Sequence, residues 1–230
     1  VIKVVLFDLD DTLFAHAQAV TDGIVAFSGL PDAGPRWHEL EEKHYHRYLA
    51  GELDYTGQRR ARAREFVAPV VLSDASADAW FDGYFERYQG AWQLHDDALP
   101  CLDALADRRL GMITNGDLTF QTRKIAGLGI TERFEHIVAS GALGFTKPDP
   151  RIFLSACALF DVGPAEALYV GDRLKTDAVG AAGAGLTGVW LDRRGAATAD
   201  DLRAAAASGV RVISTLAELP ALVGQDRPRI

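Results

Sequence analysis

From about residue 100 onward the chain alternates between two kinds of segment, and this alternation constrains its fold more than any other feature. Short runs rich in β-branched and aliphatic residues recur: "LGMIT" (110–114), "HIVA" (136–139), "ALYV" (167–170), "TGVWL" (187–191) and "VRVI" (210–213). A sixth, "IKVVLF" (2–7), stands at the start. Most are apolar nearly throughout, as strands buried on both faces should be; a strand with one wet face would alternate. Helical segments lie between them. "LPCLDALADR" (99–108) has apolar residues at helical spacing. "PDPRIFLSACALF" (148–160) offers Asp149 as an N-cap and Pro150 at the first helical position. Strand and helix in turn imply a parallel sheet with both faces covered.

The exception is the stretch between the first and second strands. Residues 14 to about 98 show no strand pattern and read as helices over 15–28, 36–50, 57–67 and 76–93, with "SGLPDAGP" (28–35) as a loop. In the last helix Trp80, Phe81, Tyr84, Phe85, Tyr88 and Trp92 fall on one broad face, which predicts core packing. The expected architecture is an α/β, Rossmann-like parallel-sheet core, residues 1–13 and 99–230, with an all-helical cap domain, residues 14–98, inserted after the first strand.

Composition narrows the function. With net charge −8 and pI about 5.2, the chain lacks the basic surface that nonspecific nucleic-acid binding needs. No apolar run approaches the length of a membrane span. Cys101 and Cys157 have no metal-site spacing and suggest reduced packing thiols in a cytoplasmic protein.

Open parallel sheets bind ligands beyond the carboxyl ends of their strands. After the first strand comes "DLDDT" (8–12), after the second "TNG" (114–116), after the third a loop leading to "KPDP" (147–150), and after the fourth "GDRLKTD" (171–177). Aspartates gathered at one edge repel one another unless a cation sits among them, and hard oxygen ligands without His or Cys favour Mg²⁺. A lone lysine and a Thr-Asn-Gly turn supply donors for an anion. Metal, anion donors and a nucleophilic carboxylate are the parts phosphoryl transfer needs.

With these four motifs in this order, each after a predicted strand, the chain resembles the haloacid dehalogenase-like hydrolase superfamily over residues 1–13 and about 100–215. The inserted helices resemble that family's C1-type cap, and the wording of the motifs is similar to the branch of nucleotidases and N-acylneuraminate-9-phosphatases. The resemblance implies that Asp8 is the nucleophile that becomes an aspartyl-phosphate. It implies that Asp10 is the general acid/base, whose main-chain carbonyl also ligates Mg²⁺. Thr114, Asn115 and Gly116 would form the phosphate cradle, and Lys147 would steady Asp8 and the phosphoryl oxygens. Asp8, Asp10 and Asp172 would hold Mg²⁺, with Asp177 behind them. The expected function is hydrolysis of a small phosphorylated metabolite, a nucleotide or sugar phosphate. A phosphomutase or a phosphorylatable binding module are the alternatives.

Other residues have plainer readings. Asp11 and Thr12 order the turn, Asp117 is a turn or N-cap residue, and Gln121 and Lys124 sit on a helix surface. "QRRARARE" (58–65) reads as a solvated helix face, or one whose arginines reach an anionic leaving group. His44, His46 and Arg47 read as cap surface.

Overall fold

The computed structural model describes residues 1–225. Strand β1 (Val4–Phe7) is followed by four helices, α1 (His16–Ser28), α2 (Ala33–Leu49), α3 (Tyr55–Phe66) and α4 (Asp74–Gly90). Then come α5 (Ala98–Ala104), β2 (Arg109–Thr114), α6 (Leu118–Gly127), β3 (His136–Ala139), α7 (Ser140–Leu143), α8 (Pro150–Leu159) and β4 (Ala167–Gly171). A π-helical turn, Leu174–Val179, runs into α9 (Gly180–Gly183), and β5 (Thr187–Leu191), α10 (Ala199–Ala207), β6 (Arg211–Ile213) and α11 (Leu219–Gln225) complete the described chain.

The six strands form one sheet in the order β3-β2-β1-β4-β5-β6, and every pairing is parallel. The chain adds β2 and β3 on one side of β1, then returns to place β4 on the other. The order therefore reverses at β1, and the crevice at such a switch point is where this class of sheet binds ligands. Phe7 of β1 is level with Met112 of β2 and Val170 of β4, so the segments that follow all three strands emerge together. β1 and β4 are buried along their whole length, as their unbroken apolar character requires. One core cluster joins Leu6, Ile113, Val138 and Tyr169 of the sheet to Ile152, Phe153 and Ala156 of α8. Asp149 and Pro150 start that helix as expected, Asp149 accepting the Arg151 N–H. Cys101 and Cys157 are buried free thiols, and burial pushes Cys101 up to about 12.

The chain divides into two compact units: Val1–Phe14 with the chain from Leu94 on, and Ala15–Gln93. The second is the helical cap. Within it α1 packs on α2 and α4, and α3 on the same two helices. Its centre is aromatic. Fully buried Trp37 meets Tyr84 edge-on at 4.7 Å and Phe66 at 5.3 Å, between ring centroids. The α4 face contributes Phe81, Tyr84 and Tyr88 to this core, as its spacing predicts. Helix α2 begins earlier than its sequence suggests. Pro35 lies in its first turn, where a missing N–H costs nothing.

The arginine-rich segment is only in part a solvated face. Arg62 is buried, 4.5 Å from the Trp37 ring centroid and 2.9 Å from Glu41. Burial by itself would raise the Glu41 pKa, but Arg62 and His16 outweigh it and hold the carboxyl well below the usual range. Arg59, Arg60 and Arg64 pair with Asp82, Asp78 and Asp74 of α4. A planar, weakly hydrated guanidinium can stack on aromatic rings while its charge is matched, so it enters a core that would reject a bare charge. His44 is also buried rather than on the surface, 2.9 Å from Glu65. Among the described residues no helix is long and apolar enough to cross a membrane.

Candidate active site at the carboxyl edge of the sheet

Asp8 extends the β1 ladder by one residue, its N–H donating to Val170 O at 2.9 Å. The chain then turns sharply: the N–H groups of Thr12, Leu13 and Phe14 all converge on Leu9 O. Asp11 sits in the left-handed region at φ 57°, which aspartate adopts more readily than most residues. This is the local role expected of it. Thr12 Oγ1 lies 3.4 Å from Asp8 Oδ2.

Lys147 occupies the centre of the cluster. Its Nζ donates to Asp8 Oδ1 (2.6 Å), Tyr169 Oη (2.7 Å) and Asp177 Oδ1 (2.8 Å). An ammonium has three protons, so these three acceptors use all of them. Lys147 and Asp8 are only 5% and 6% exposed. Burial would lower the Lys147 pKa, but Asp177 and Asp8 hold it above its ordinary value. Asp177 is anchored from the other side, Oδ2 accepting the Arg173 N–H at 2.9 Å. Gly171 makes room for it: a Cβ there would lie 2.5 Å from Asp177 Cγ, so only glycine fits.

Asp172 follows β4, its main-chain oxygen accepting the Trp190 indole N–H at 2.9 Å. One oxygen from each of Asp8, Asp172 and Asp177 lies within 4.8 Å of the others. Desolvation is the largest influence on both Asp8 and Asp172. It raises Asp8 to about 7 despite Lys147, with Asp177 adding to the rise. It raises Asp172 to about 8, with Asp8 and Asp177 adding to it. Three carboxylates thus lie together, and one ammonium bonds two of them. The imbalance, and the hard oxygen donors that cause it, fit a divalent cation of the Mg²⁺ type.

The other motif residues are placed as follows. Thr114 is buried at the end of β2, its Oγ1 accepting from Gln121 Nε2 at 2.6 Å. The Asn115 side chain clasps the Lys147 main chain, Oδ1 accepting its N–H (2.9 Å) and Nδ2 donating to its carbonyl (3.2 Å). Gly116, at φ 143°, donates its N–H to Ser140 Oγ at 2.9 Å. Asp117 caps α6 by accepting the Phe120 N–H. The structure therefore gathers Asp8, Lys147, Asp172 and Asp177 into one cluster, with Asn115 bracing the Lys147 loop. The Asp10 carboxylate is held from α6. It receives Lys124 Nζ on Oδ1 at 2.7 Å and Gln121 Nε2 on Oδ2 at 3.3 Å.

Gln121 and Lys124 are buried, not on the helix surface where their polarity would put them. They share an α6 face with Ile125, one turn apart, and a polar side chain is carried inward there because Asp10 and Thr114 meet it. Tyr169 and Ser140 are not singled out by the sequence. Tyr169 lies within an apolar strand run, with no local sign that its hydroxyl meets a lysine. That hydroxyl donates to Ile113 O (3.0 Å) while accepting from Lys147. Tyr169→Phe is expected to cost about 1–3 kcal/mol, because two buried partners lose a hydrogen bond. Thermal unfolding of the variant checks this; an unchanged midpoint would show the hydroxyl to be idle.

Comparison with known proteins places this geometry. Residues 2–185 match the family model of the haloacid dehalogenase-like hydrolases. The chain is 44% identical over 204 residues to the glyceraldehyde 3-phosphate phosphatase of Pyrococcus furiosus, covering 83% of this chain and 80% of that protein. It is 28% identical to the human N-acylneuraminate-9-phosphatase, covering 96% and 94%. The HAD-hydrolase YfnB of Bacillus subtilis, solved bound to magnesium, superposes with a TM-score of 0.77 at 20% identity, covering 96% and 98%.

Proposed function

The chain belongs to the haloacid dehalogenase-like hydrolase family, and from that premise we propose that it is a Mg²⁺-dependent phosphatase of small phosphorylated metabolites, acting through an aspartyl-phosphate on Asp8. One observation carries the mechanism. Asp8 is a buried carboxylate with one oxygen held by Lys147, while two residues on a second carboxylate, Asp10, is held apart from it by α6. This separates a nucleophile from an acid/base.

Asp8 Oδ1 is committed to Lys147, which leaves Oδ2, in loose contact with Thr12, as the attacking oxygen. As the Oδ2–P bond forms, the P–O ester bond breaks, and Asp10 delivers its proton to the departing oxygen. Asp10 then takes a proton from water, whose oxygen attacks the aspartyl-phosphate and frees phosphate and the Asp8 carboxylate. Asp8, Asp172 and the Asp10 main-chain carbonyl would hold Mg²⁺, with Asp177 behind them. When bound, the ion offsets negative charge at Asp8 and the phosphoryl group. Lys147 neutralises Asp8, and Thr114 with the Asn115–Gly116 turn flanks the phosphoryl position.

The relatives' names point to a sugar phosphate or a comparable small monoester as substrate. Two free buried thiols fit a reducing, cytoplasmic setting. Phosphate release from a panel of sugar phosphates, phosphoamino acids and nucleoside monophosphates, with Mg²⁺ and with chelator, tests the proposal. Mg²⁺-dependent release from a small monoester is expected. No release from any ester would overturn it, and isomerised product appearing only with added bisphosphate would identify a mutase instead.

A further inference from the structure

Helix α6 carries two buried polar side chains toward one carboxylate. Lys124 and Gln121 are each 2% exposed. Lys124 Nζ donates to Asp10 Oδ1 at 2.7 Å, and Gln121 Nε2 is 3.3 Å from Oδ2, so a donor faces each carboxylate oxygen. Gln121 Nε2 also reaches Thr114 Oγ1 (2.6 Å) and Asn115 O (3.3 Å), which fixes the amide between the β2 loop and Asp10. The rings of Phe14 and Phe120 each lie 5.1 Å from Lys124 Nζ and wall the ammonium from solvent. The Asp10 side chain is 31% exposed, against 2% for Lys124.

Burying a lysine is costly unless it is paired, and packing α6 on the sheet calls for an aliphatic residue at each of these positions. Lys124 is not the ammonium of the acidic cluster either: Asp8 and Asp177 receive Lys147. What Lys124 and Gln121 do accomplish is to fix the plane and direction of one carboxyl group. We propose that Lys124, with Gln121, is a positioning residue for Asp10, holding its carboxyl group in the direction needed to protonate the oxygen that leaves the phosphoryl group. Lys124 touches no reacting atom and moves no proton. Up to departure of the leaving group, the benefit falls on the step in which Asp10 protonates that oxygen, so there it is selective for poor leaving groups.

This inference rests on the phosphatase reading, and the test separates the two. Two small substrates share a phosphoryl group: glycerol phosphate, whose alkoxide needs a proton to leave, and acetyl phosphate, whose carboxylate does not. kcat/KM reports events up to departure of the leaving group, so later hydrolysis of the aspartyl-phosphate does not blur the comparison. For Lys124→Met, kcat/KM on glycerol phosphate is expected to fall by about 10–100-fold, a good part of what a positioned acid contributes, and by less than about 3-fold on acetyl phosphate. Equal losses on both substrates would mean that Lys124 merely supports the fold. No loss on either would mean that it does nothing for Asp10. Both results overturn the inference while leaving the phosphatase reading intact. A wild-type protein inert to both esters would remove that reading and this inference with it. Should Lys124→Met not fold, Lys124→Arg retains the charge but displaces it from Oδ1, and the same selective loss is expected at smaller size.

Discussion

Asp8→Asn is expected to lower kcat/KM by on the order of 10⁴-fold or more, because an amide cannot serve as the nucleophile that the mechanism requires. The substitution is nearly isosteric, and its carbonyl oxygen can still accept the Lys147 proton that Asp8 Oδ1 now receives at 2.6 Å. It also removes one of three carboxylates crowded within 4.8 Å of one another. In Mg²⁺-free buffer above pH 7 the variant should therefore unfold at a higher temperature than the wild type. Lost turnover together with gained stability marks a residue retained for chemistry rather than for folding. Steady-state phosphate release and thermal unfolding on the same preparation check both halves. Substantial turnover in the variant would remove Asp8 as nucleophile, and a large drop in its melting temperature would make Asp8 a structural residue.

The second large effect is the pH dependence of stability without metal. Burial and neighbouring carboxylates raise Asp8 from 3.8 to about 7 and Asp172 from 3.8 to about 8, so the folded state holds these protons more tightly than the unfolded chain does. Stability from such groups is fully present below the unfolded value and is lost as pH rises through the folded one. In Mg²⁺-free buffer the melting temperature should fall between pH 5.5 and pH 8. Each proton that the folded state alone retains contributes a slope of up to about 1.4 kcal/mol per pH unit. For a chain of this size, 1 kcal/mol corresponds to roughly 2–4 °C. Mg²⁺ should restore much of the loss at pH 8 and do little at pH 5.5, where it competes with the protons. Asp172→Asn should flatten the slope and blunt the Mg²⁺ response. A melting temperature that rises with pH across this window in chelator, or a Mg²⁺ response that is equal at both ends, would contradict the acidic cluster as described.

Asp8, Asp172 and Lys147 are legible in the sequence because a parallel sheet has a simple grammar. An apolar run must end, the polar residues that follow it lie at the carboxyl edge, and strands of one sheet deliver those edges to one place. Gln121, Lys124, Arg62 and His44 escape the same reading for a single reason. Helical periodicity assigns polar residues to the solvent side, and it has no means of recognising a charge that travels inward to meet a partner far along the chain. Lys124 meets Asp10 across 114 positions. Arg62 meets Glu41 and a tryptophan on another helix. Tyr169 is hidden the opposite way: its ring satisfies the apolar strand, and only its hydroxyl belongs to the site.

By itself the sequence determined the layered α/β architecture, the helical insertion after the first strand, and the loops in which the acids, the Thr-Asn-Gly turn and Lys147 occur. These follow from hydrophobic periodicity and turn chemistry, which act over a few residues at a time. The tertiary structure alone decided that Lys147 spends all three protons on Asp8, Asp177 and Tyr169, that Asn115 braces the lysine loop, that Ser140 takes the Gly116 N–H, and that α6 holds Asp10. Buried hydrogen bonds and ion pairs form wherever packing brings donor and acceptor together, without regard to their separation along the chain. Which carboxylate pairs with Lys147 and which with Lys124 is therefore settled only when the sheet and its helices close around them.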